Sequence, residues 1–208
     1  MKRSARSRSG LRTTGATALA ASALLALTLA STAEARCSYS GGEQVFQRWG
    51  DQHHYVLVKD GGLEADGAGW SLSHGAVTGA GNESEYLHSP GDTRSLSLPG
   101  GSVATSPPIC VALDTPVLRT MVRNTGDPSS RLRATVVYPL LGLIQTRVVT
   151  SISSGSKWSP SPYINPTLGL STVVGTLLPA SIQIRFEPLD SKGEWQVDDL
   201  YVDPYSRR

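Results

Sequence analysis

The chain has 208 residues, 19 Lys and Arg against 17 Asp and Glu, and two cysteines. That length suffices for a single domain with a full core, in which roughly 70% of the unfolded surface leaves water. The near-balanced charge excludes the broad basic footprint of a nucleic-acid or anionic-lipid binder.

The first 35 residues read as a secretory signal peptide. Lys2, Arg3, Arg6, Arg8 and Arg12 form a basic start, and residues 16–30 are apolar and uncharged. Ala33 and Ala35 then place small residues at the −3 and −1 positions of a cleavage site. An apolar run of about 15 residues falls short of the roughly 18 or more needed to span a bilayer, so no stable membrane insertion is expected. The mature chain is predicted to cover residues 36–208 as one domain, acting outside the cell or in its envelope. Cleavage removes five of the 19 basic and one of the 17 acidic residues, leaving 14 against 16 and a net charge of −2. In an exported chain the default for Cys37 and Cys110 is a disulfide.

The mature chain reads as short extended runs. Tyr55, Val56, Leu57 and Val58 stop at the Asp60-Gly61-Gly62 turn signal. Trp70-Ser71-Leu72 and Ala76-Val77-Thr78 flank a Ser73-His74-Gly75 turn. Ser95-Leu96-Ser97-Leu98 alternates and stops at Pro99-Gly100-Gly101, and a further run covers residues 118–122. Residues 131–138 alternate, with Leu132, Ala134, Val136 and Tyr138 on one face, and residues 143–150 follow. Ile182, Ile184 and Phe186 share a face over residues 181–186, and residues 195–202 form the last run. Period-2 patterns rich in β-branched residues indicate strands. No mature segment holds a helical period over 11 residues, and Gly and Pro interrupt the chain throughout. Residues 151–176, rich in Ser, Pro and Gly, are expected to be long loops with one or two short strands. The predicted class is all-β, a two-sheet antiparallel β-sandwich.

Two groups of motifs carry a family resemblance. Asp60-Gly61-Gly62-Leu63-Glu64, Gly69-Trp70 and Ser95-Leu96-Ser97-Leu98 lie toward the front. Trp195-Gln196-Val197-Asp198-Asp199-Leu200 lies toward the end. Together they resemble the carbohydrate-binding modules of the galactose-binding-like β-jelly-roll class, with Asp60 and Leu63 in place of the usual Asn and Phe. The Tyr201-Val202-Asp203-Pro204-Tyr205 ending is similar to that of uncharacterised secreted bacterial proteins. The resemblance implies a jelly roll, a polysaccharide or glycan partner, and a structural Ca2+ held by Glu64 with Asp198 or Asp199. Carboxylates and loop carbonyls are the hard oxygen ligands calcium takes. The plainer reading makes these carboxylates solvated or hydrogen-bonded loop-end groups.

Sugar binding in such folds uses flat aromatic faces with polar partners. Trp70 and Trp195 match core positions. Tyr86, Tyr138, Trp158 and Tyr163 lie on strand ends or loops and are the candidate ligand contacts, with Gln145, Arg147, Arg123 and Asn124 as polar candidates. His53 and His54 would point to opposite faces of a strand, and His74 and His88 show no ligand spacing. For hydrolysis there is no G-x-S-x-G elbow. Asp51 with His53 or His54 and a distant serine makes a triad only on paper. The carboxylates Glu83, Glu85, Asp92, Glu187 and Glu194 cannot be paired from sequence. The expected function is therefore a secreted, non-catalytic carbohydrate-binding-like domain. The alternative is a structural or protein-interaction domain of the cell envelope without a sugar site, with a secreted hydrolase third.

Overall fold

The computed structural model describes residues 37–111, 116–140, 143–166 and 180–204. The expected signal peptide and its cleavage site lie outside these residues. Among the described residues there is no α-helix, only a single 3-10 turn at Gln47–Trp49, and no helix is long and apolar enough to cross a membrane.

The strands are β1 (Val56–Leu57), β2 (Ser71–Ser73), β3 (Val77–Ala80), β4 (Arg94–Pro99), β5 (Val103–Thr105), β6 (Ile109–Val111), β7 (Val117–Asn124), β8 (Leu132–Leu140), β9 (Leu143–Ile152), β10 (Ser159–Pro160), β11 (Ala180–Pro188) and β12 (Glu194–Asp203). They form two antiparallel sheets. The first runs β10-β7-β12-β4-β3, with β1 also on β12. The second runs β2-β5-β11-β8-β9, with β6 also on β11. The fold is an all-β two-sheet sandwich of the jelly-roll type. Each sheet buries one face, so the inward residues alternate with outward ones along each strand. Leu132, Ala134 and Val136 of β8 and Ile182, Ile184 and Phe186 of β11 meet Leu96, Leu98, Leu118, Val122, Trp195, Val197 and Val202 from the first sheet in one buried core. Trp195 is 1% exposed, and its indole N–H donates to Ser130 Oγ at 3.1 Å, so the ring is buried without an unmet donor.

The runs read from the sequence recur as strands with shifted ends. The Ser73-His74-Gly75 turn, however, does not close a hairpin. Its flanks β2 and β3 belong to different sheets, and His74 and Gly75 both take positive φ where the chain crosses over. β5 and β10 carry too few residues to display a period.

Cys37 and Cys110 are joined, with Cα atoms 5.5 Å apart, and no free cysteine remains among the described residues. Cys110 lies in β6, so the bridge fixes residue 37 to the second sheet. The Tyr39 hydroxyl donates to the Cys110 carbonyl at 2.6 Å beside it. Residues 43–57 then cross to the outer face of the first sheet. There Phe46, Tyr55, Met121 and Tyr201 form a second apolar cluster, with Leu57, Leu87 and Trp158 packed against it.

Candidate functional site

β12 carries an irregularity. Its register against β7 shifts between Asp198 and Tyr201, and Asp199 sits at φ 49. A bulge of this kind adds a residue to one strand and re-aims its side chain. Before it, Gln196 and Asp198 face outward while Trp195 and Val197 face the core. After it, Leu200 and Val202 face the core and Tyr201 faces outward. The bulge is held by the front turn: Val58 N–H donates to the Leu200 carbonyl (2.9 Å) and Leu200 N–H to the Gly61 carbonyl (3.1 Å). Gly61 is required for this approach, since a Cβ there would lie 2.5 Å from the Leu200 oxygen.

Around the bulge lies a buried acidic group. Asp198, fully buried, accepts the Glu83 N–H at 2.9 Å and the Asp199 N–H at 2.8 Å on its two oxygens. Glu83, also fully buried, accepts the N–H groups of Glu85 (2.6 Å) and Leu87 (2.5 Å), which shapes the loop between β3 and β4. Asp199 is 1% exposed, and neither of its carboxylate oxygens makes a hydrogen bond of full geometry among the described residues, the His88 N–H being the donor nearest to one. His88 Nδ1 lies 2.6 Å from Asp92 Oδ2. One ligand atom each from His88, Asp92 and Asp199 falls within 4.8 Å of the others. Burial, reinforced by the neighbouring Asp199 charge, pushes the Asp198 carboxyl up to about 9. Burial, then Glu83 and Asp92, pushes Asp199 up to about 7, with His88 opposing. Burial also raises Glu83, against the lowering effect of its two N–H bonds.

Of the calcium candidates, Glu64 with Asp198 or Asp199, the structure does not bring Glu64 to either aspartate. Glu64 is exposed, and its carboxylate accepts the N–H groups of Thr93 (2.8 Å) and Arg94 (2.7 Å), pinning the start of β4. Asp198 spends both oxygens on backbone N–H groups. Only Asp199 belongs to the converging set, and its companions are His88 and Asp92. That set does not fit calcium, which takes six to eight hard oxygens and has little use for an imidazole nitrogen. His88, discounted in sequence for want of ligand spacing, is the residue the topology supplies instead.

The outer face of the first sheet carries most of the remaining candidates. A lateral row runs across it: Val77 of β3 lies opposite Ser97 of β4, Ser97 opposite Gln196 of β12, and Gln196 opposite Arg123 of β7. The Arg123 Nε–H donates to Gln196 Oε1, and its guanidinium lies 4.8 Å from the centre of the Trp158 ring. Further along, the Arg119 guanidinium lies 4.8 Å from the Tyr163 ring and 5.2 Å from the Phe46 ring. Arg119 also binds Asp51 Oδ2 (2.6 Å) and the Ser161 carbonyl (2.9 Å). Tyr86 stands in the β3–β4 loop, where Glu85 pairs with Arg48, and Trp49 lies beside Arg48. Trp49, Tyr86 and Tyr163 are 37%, 49% and 43% exposed.

Tyr86, Trp158 and Tyr163 thus belong to this side of the molecule. Tyr138, Gln145 and Arg147 do not: Tyr138 of β8 faces Gln145 of β9, and Arg147 faces Val136, all on the second sheet. Tyr138 packs partly against the core. Asn124 is buried and holds the turn after β7, donating to the Asp127 carbonyl (2.7 Å) and accepting the Gly126 N–H (3.0 Å), so it has no free group for a ligand. Asp51 is bound by Arg119, the Tyr55 hydroxyl (2.8 Å) and the His53 N–H (3.1 Å), which leaves no triad with an imidazole. His53 instead places Nδ1 2.8 Å from Asp203. Gln196 and Ser97 escaped the sequence reading, because only the sheet order sets them beside Arg123.

No protein-family model and no curated protein matches the chain. Solved structures are similar in fold. The CBM22-1 xylan-binding domain of Paenibacillus barcinonensis Xyn10C is 12% identical over 82% of this chain and 100% of that one, with a TM-score of 0.49. TmCBM61, solved with beta-1,4-galactotriose, is 14% identical over 73% and 98%, with a TM-score of 0.48. The C-terminal CBM6 of LamC from Zobellia galactanivorans is 11% identical over 72% and 99%, with a TM-score of 0.45. Likeness at this level does not extend to a ligand or an activity.

Proposed function

We propose that the protein is a secreted, non-catalytic glycan-binding domain that takes a polysaccharide chain across the outer face of its first sheet. One observation carries the reading: half-buried Trp158 covers Arg123 at the end of the polar row of Ser97, Gln196 and Arg123, and exposed Tyr163 stacks on Arg119, another outward residue of the same strand. Aromatic surface packs against the apolar side of a pyranose, while amide and guanidinium groups bond its hydroxyls. Arg123 is held by both Trp158 and Gln196, so its ordering cost is met before a ligand arrives.

Pull-down of the protein on insoluble xylan, β-glucan, chitin and peptidoglycan tests this. Retention on at least one polymer is expected, with Trp158→Ala and Tyr163→Ala weakening it about tenfold or more. Tyr138→Ala and Arg147→Ala on the other sheet should leave it unchanged. Retention on none, or retention indifferent to Trp158 and Tyr163, would refute the reading. A second reading is favoured by β9, an edge of its sheet among the described strands, with Leu143, Ile144 and Val148 at 65%, 67% and 57% exposure. Unpaired, apolar edges are surfaces for protein partners, and this points to an envelope interaction domain without a sugar site.

A further inference from the structure

Three atoms converge on one point beside the front turn. A Cβ added to Gly62 would lie 3.1 Å from Asp199 Oδ1, 3.4 Å from His88 Nδ1 and 3.6 Å from Asp92 Oδ2. Gly62 does not have positive φ, so its backbone does not demand glycine. What the missing side chain leaves is room between three potential ligand atoms, two of which, His88 Nδ1 and Asp92 Oδ2, share a hydrogen bond at 2.6 Å whose proton a metal ion would replace. The Asp199 carboxylate is buried and aimed into that room, its oxygens making no hydrogen bond of full geometry and approached only by the His88 N–H. An ionised carboxylate in this position is costly unless a cation answers it.

We propose that His88, Asp92 and Asp199 hold a divalent transition-metal ion of the zinc class. One imidazole nitrogen and two carboxylate oxygens form a mixed set suited to zinc, which takes four ligands in tetrahedral array, whereas calcium would need several more oxygens. Three protein ligands leave one position open. His88, the exposed member of the set, gives the site a side open to solvent; it also lines a cavity of about 250 Å³ with Glu43, Tyr55, Leu57 and Tyr201, which Asp92 and Asp199 do not line. The ligands come from distant segments. His88 and Asp92 belong to the loop between β3 and β4, and Asp199 is the bulge residue of β12. The ion therefore ties that loop, with Tyr86 at its crest, to the central strand of the first sheet. This assignment is independent of the glycan reading.

The test is titration of the chelator-stripped protein with Zn2+, and separately with Ca2+, followed by calorimetry and by melting temperature. One zinc per chain is expected, with a rise in melting temperature that calcium at the same concentration does not reproduce. Co2+ should give the visible absorption of a low-coordinate site. His88→Ala and Asp199→Asn should lower zinc affinity by more than the roughly 10- to 100-fold that the loss of even an outer-shell partner costs. Gly62→Ala should do so without removing a ligand. Circular dichroism of the stripped variants checks that each is folded. Absence of zinc binding to the wild type, or zinc binding unchanged in His88→Ala, overturns the proposal. So does a calcium response that His88→Ala retains, since that would define an oxygen-only site.

Discussion

Replacing Asp51 by Ala should be among the most damaging single changes outside the core. Asp51 is 3% exposed and accepts three hydrogen bonds, from Arg119, the Tyr55 hydroxyl and the His53 N–H. Its removal leaves the Tyr55 hydroxyl buried without a partner, a loss of about 1–3 kcal/mol. It also leaves Arg119, whose side chain is only 14% exposed, without its counter-charge. Breaking a buried pair from one side costs about 3–5 kcal/mol. Because Arg119 keeps the Ser161 carbonyl and two aromatic rings, the lower end applies, about 3 kcal/mol. In urea, with a slope of about 2 kcal/mol per molar, the unfolding midpoint should fall by about 1.5 M. Combining Asp51→Leu with Arg119→Met should cost at least about 1 kcal/mol less than the two single changes added together. Burial alone would raise the Asp51 carboxyl, but the His53 N–H, Arg119 and Tyr55 bonds together hold it below its ordinary value. A lowered carboxylate stabilises above the usual carboxylate range and loses that contribution as pH falls through its folded value. The gap between wild type and Asp51→Ala should therefore narrow at pH 3. A midpoint shift under about 0.3 M at pH 7 would show that the network is not holding residues 43–57 to the first sheet.

Other outcomes follow from packing and covalent structure. Non-reducing peptide mapping should find Cys37 linked to Cys110 with no alkylatable thiol, and Cys110→Ser should cost about 4 kcal/mol by the loop-entropy relation for a 73-residue separation. Gly126→Ala should destabilise by about 1–3 kcal/mol in chemical denaturation, because its Cβ would fall 2.4 Å from the Lys192 carbonyl and 2.6 Å from the Glu194 nitrogen. Trp195→Ala should cost about 3–5 kcal/mol, and a smaller loss would show that the core collapses around the cavity.

The parts of the fold legible in sequence are those where one face is buried and the strand is long. Leu132, Ala134 and Val136, and likewise Ile182, Ile184 and Phe186, announce β8 and β11 because a pleated strand must alternate when one side meets a core. β12 reads as extended, but its bulge reverses the alternation partway, so two adjacent aspartates look equivalent when they are not. Asp198 is consumed by backbone N–H groups, and Asp199 turns instead toward His88 and Asp92. The candidate metal set was illegible for a related reason. His88 and Asp92 sit four apart in an irregular loop, and their third partner arrives from the far end of the chain. Glu64 is turned to the start of β4 because the amides of Thr93 and Arg94 both bond its Oε1 and the Thr93 hydroxyl its Oε2, a local competition that composition does not reveal. The aromatic side of the first sheet was half legible. Tyr86, Trp158 and Tyr163 read as residues of strand ends or loops, but Gln196 and Ser97 require the strand order.

That strand order also governs when the molecule can fold. β11 lies at the centre of the second sheet, between β5 and β8, and β12 at the centre of the first, between β7 and β4. Both follow every other strand along the chain. Until they have been synthesised, β4 and β7 have no strand between them, nor do β5 and β8, and each sheet exists only as separated halves with exposed edges. Long-range pairings of this kind form slowly and late. A nascent chain of this design cannot complete the second sheet before Pro188, or the first before Asp203, has been made. Any passage that requires an extended polypeptide is thereby kept open, and the sandwich closes as a unit once β11 and β12 are free to insert.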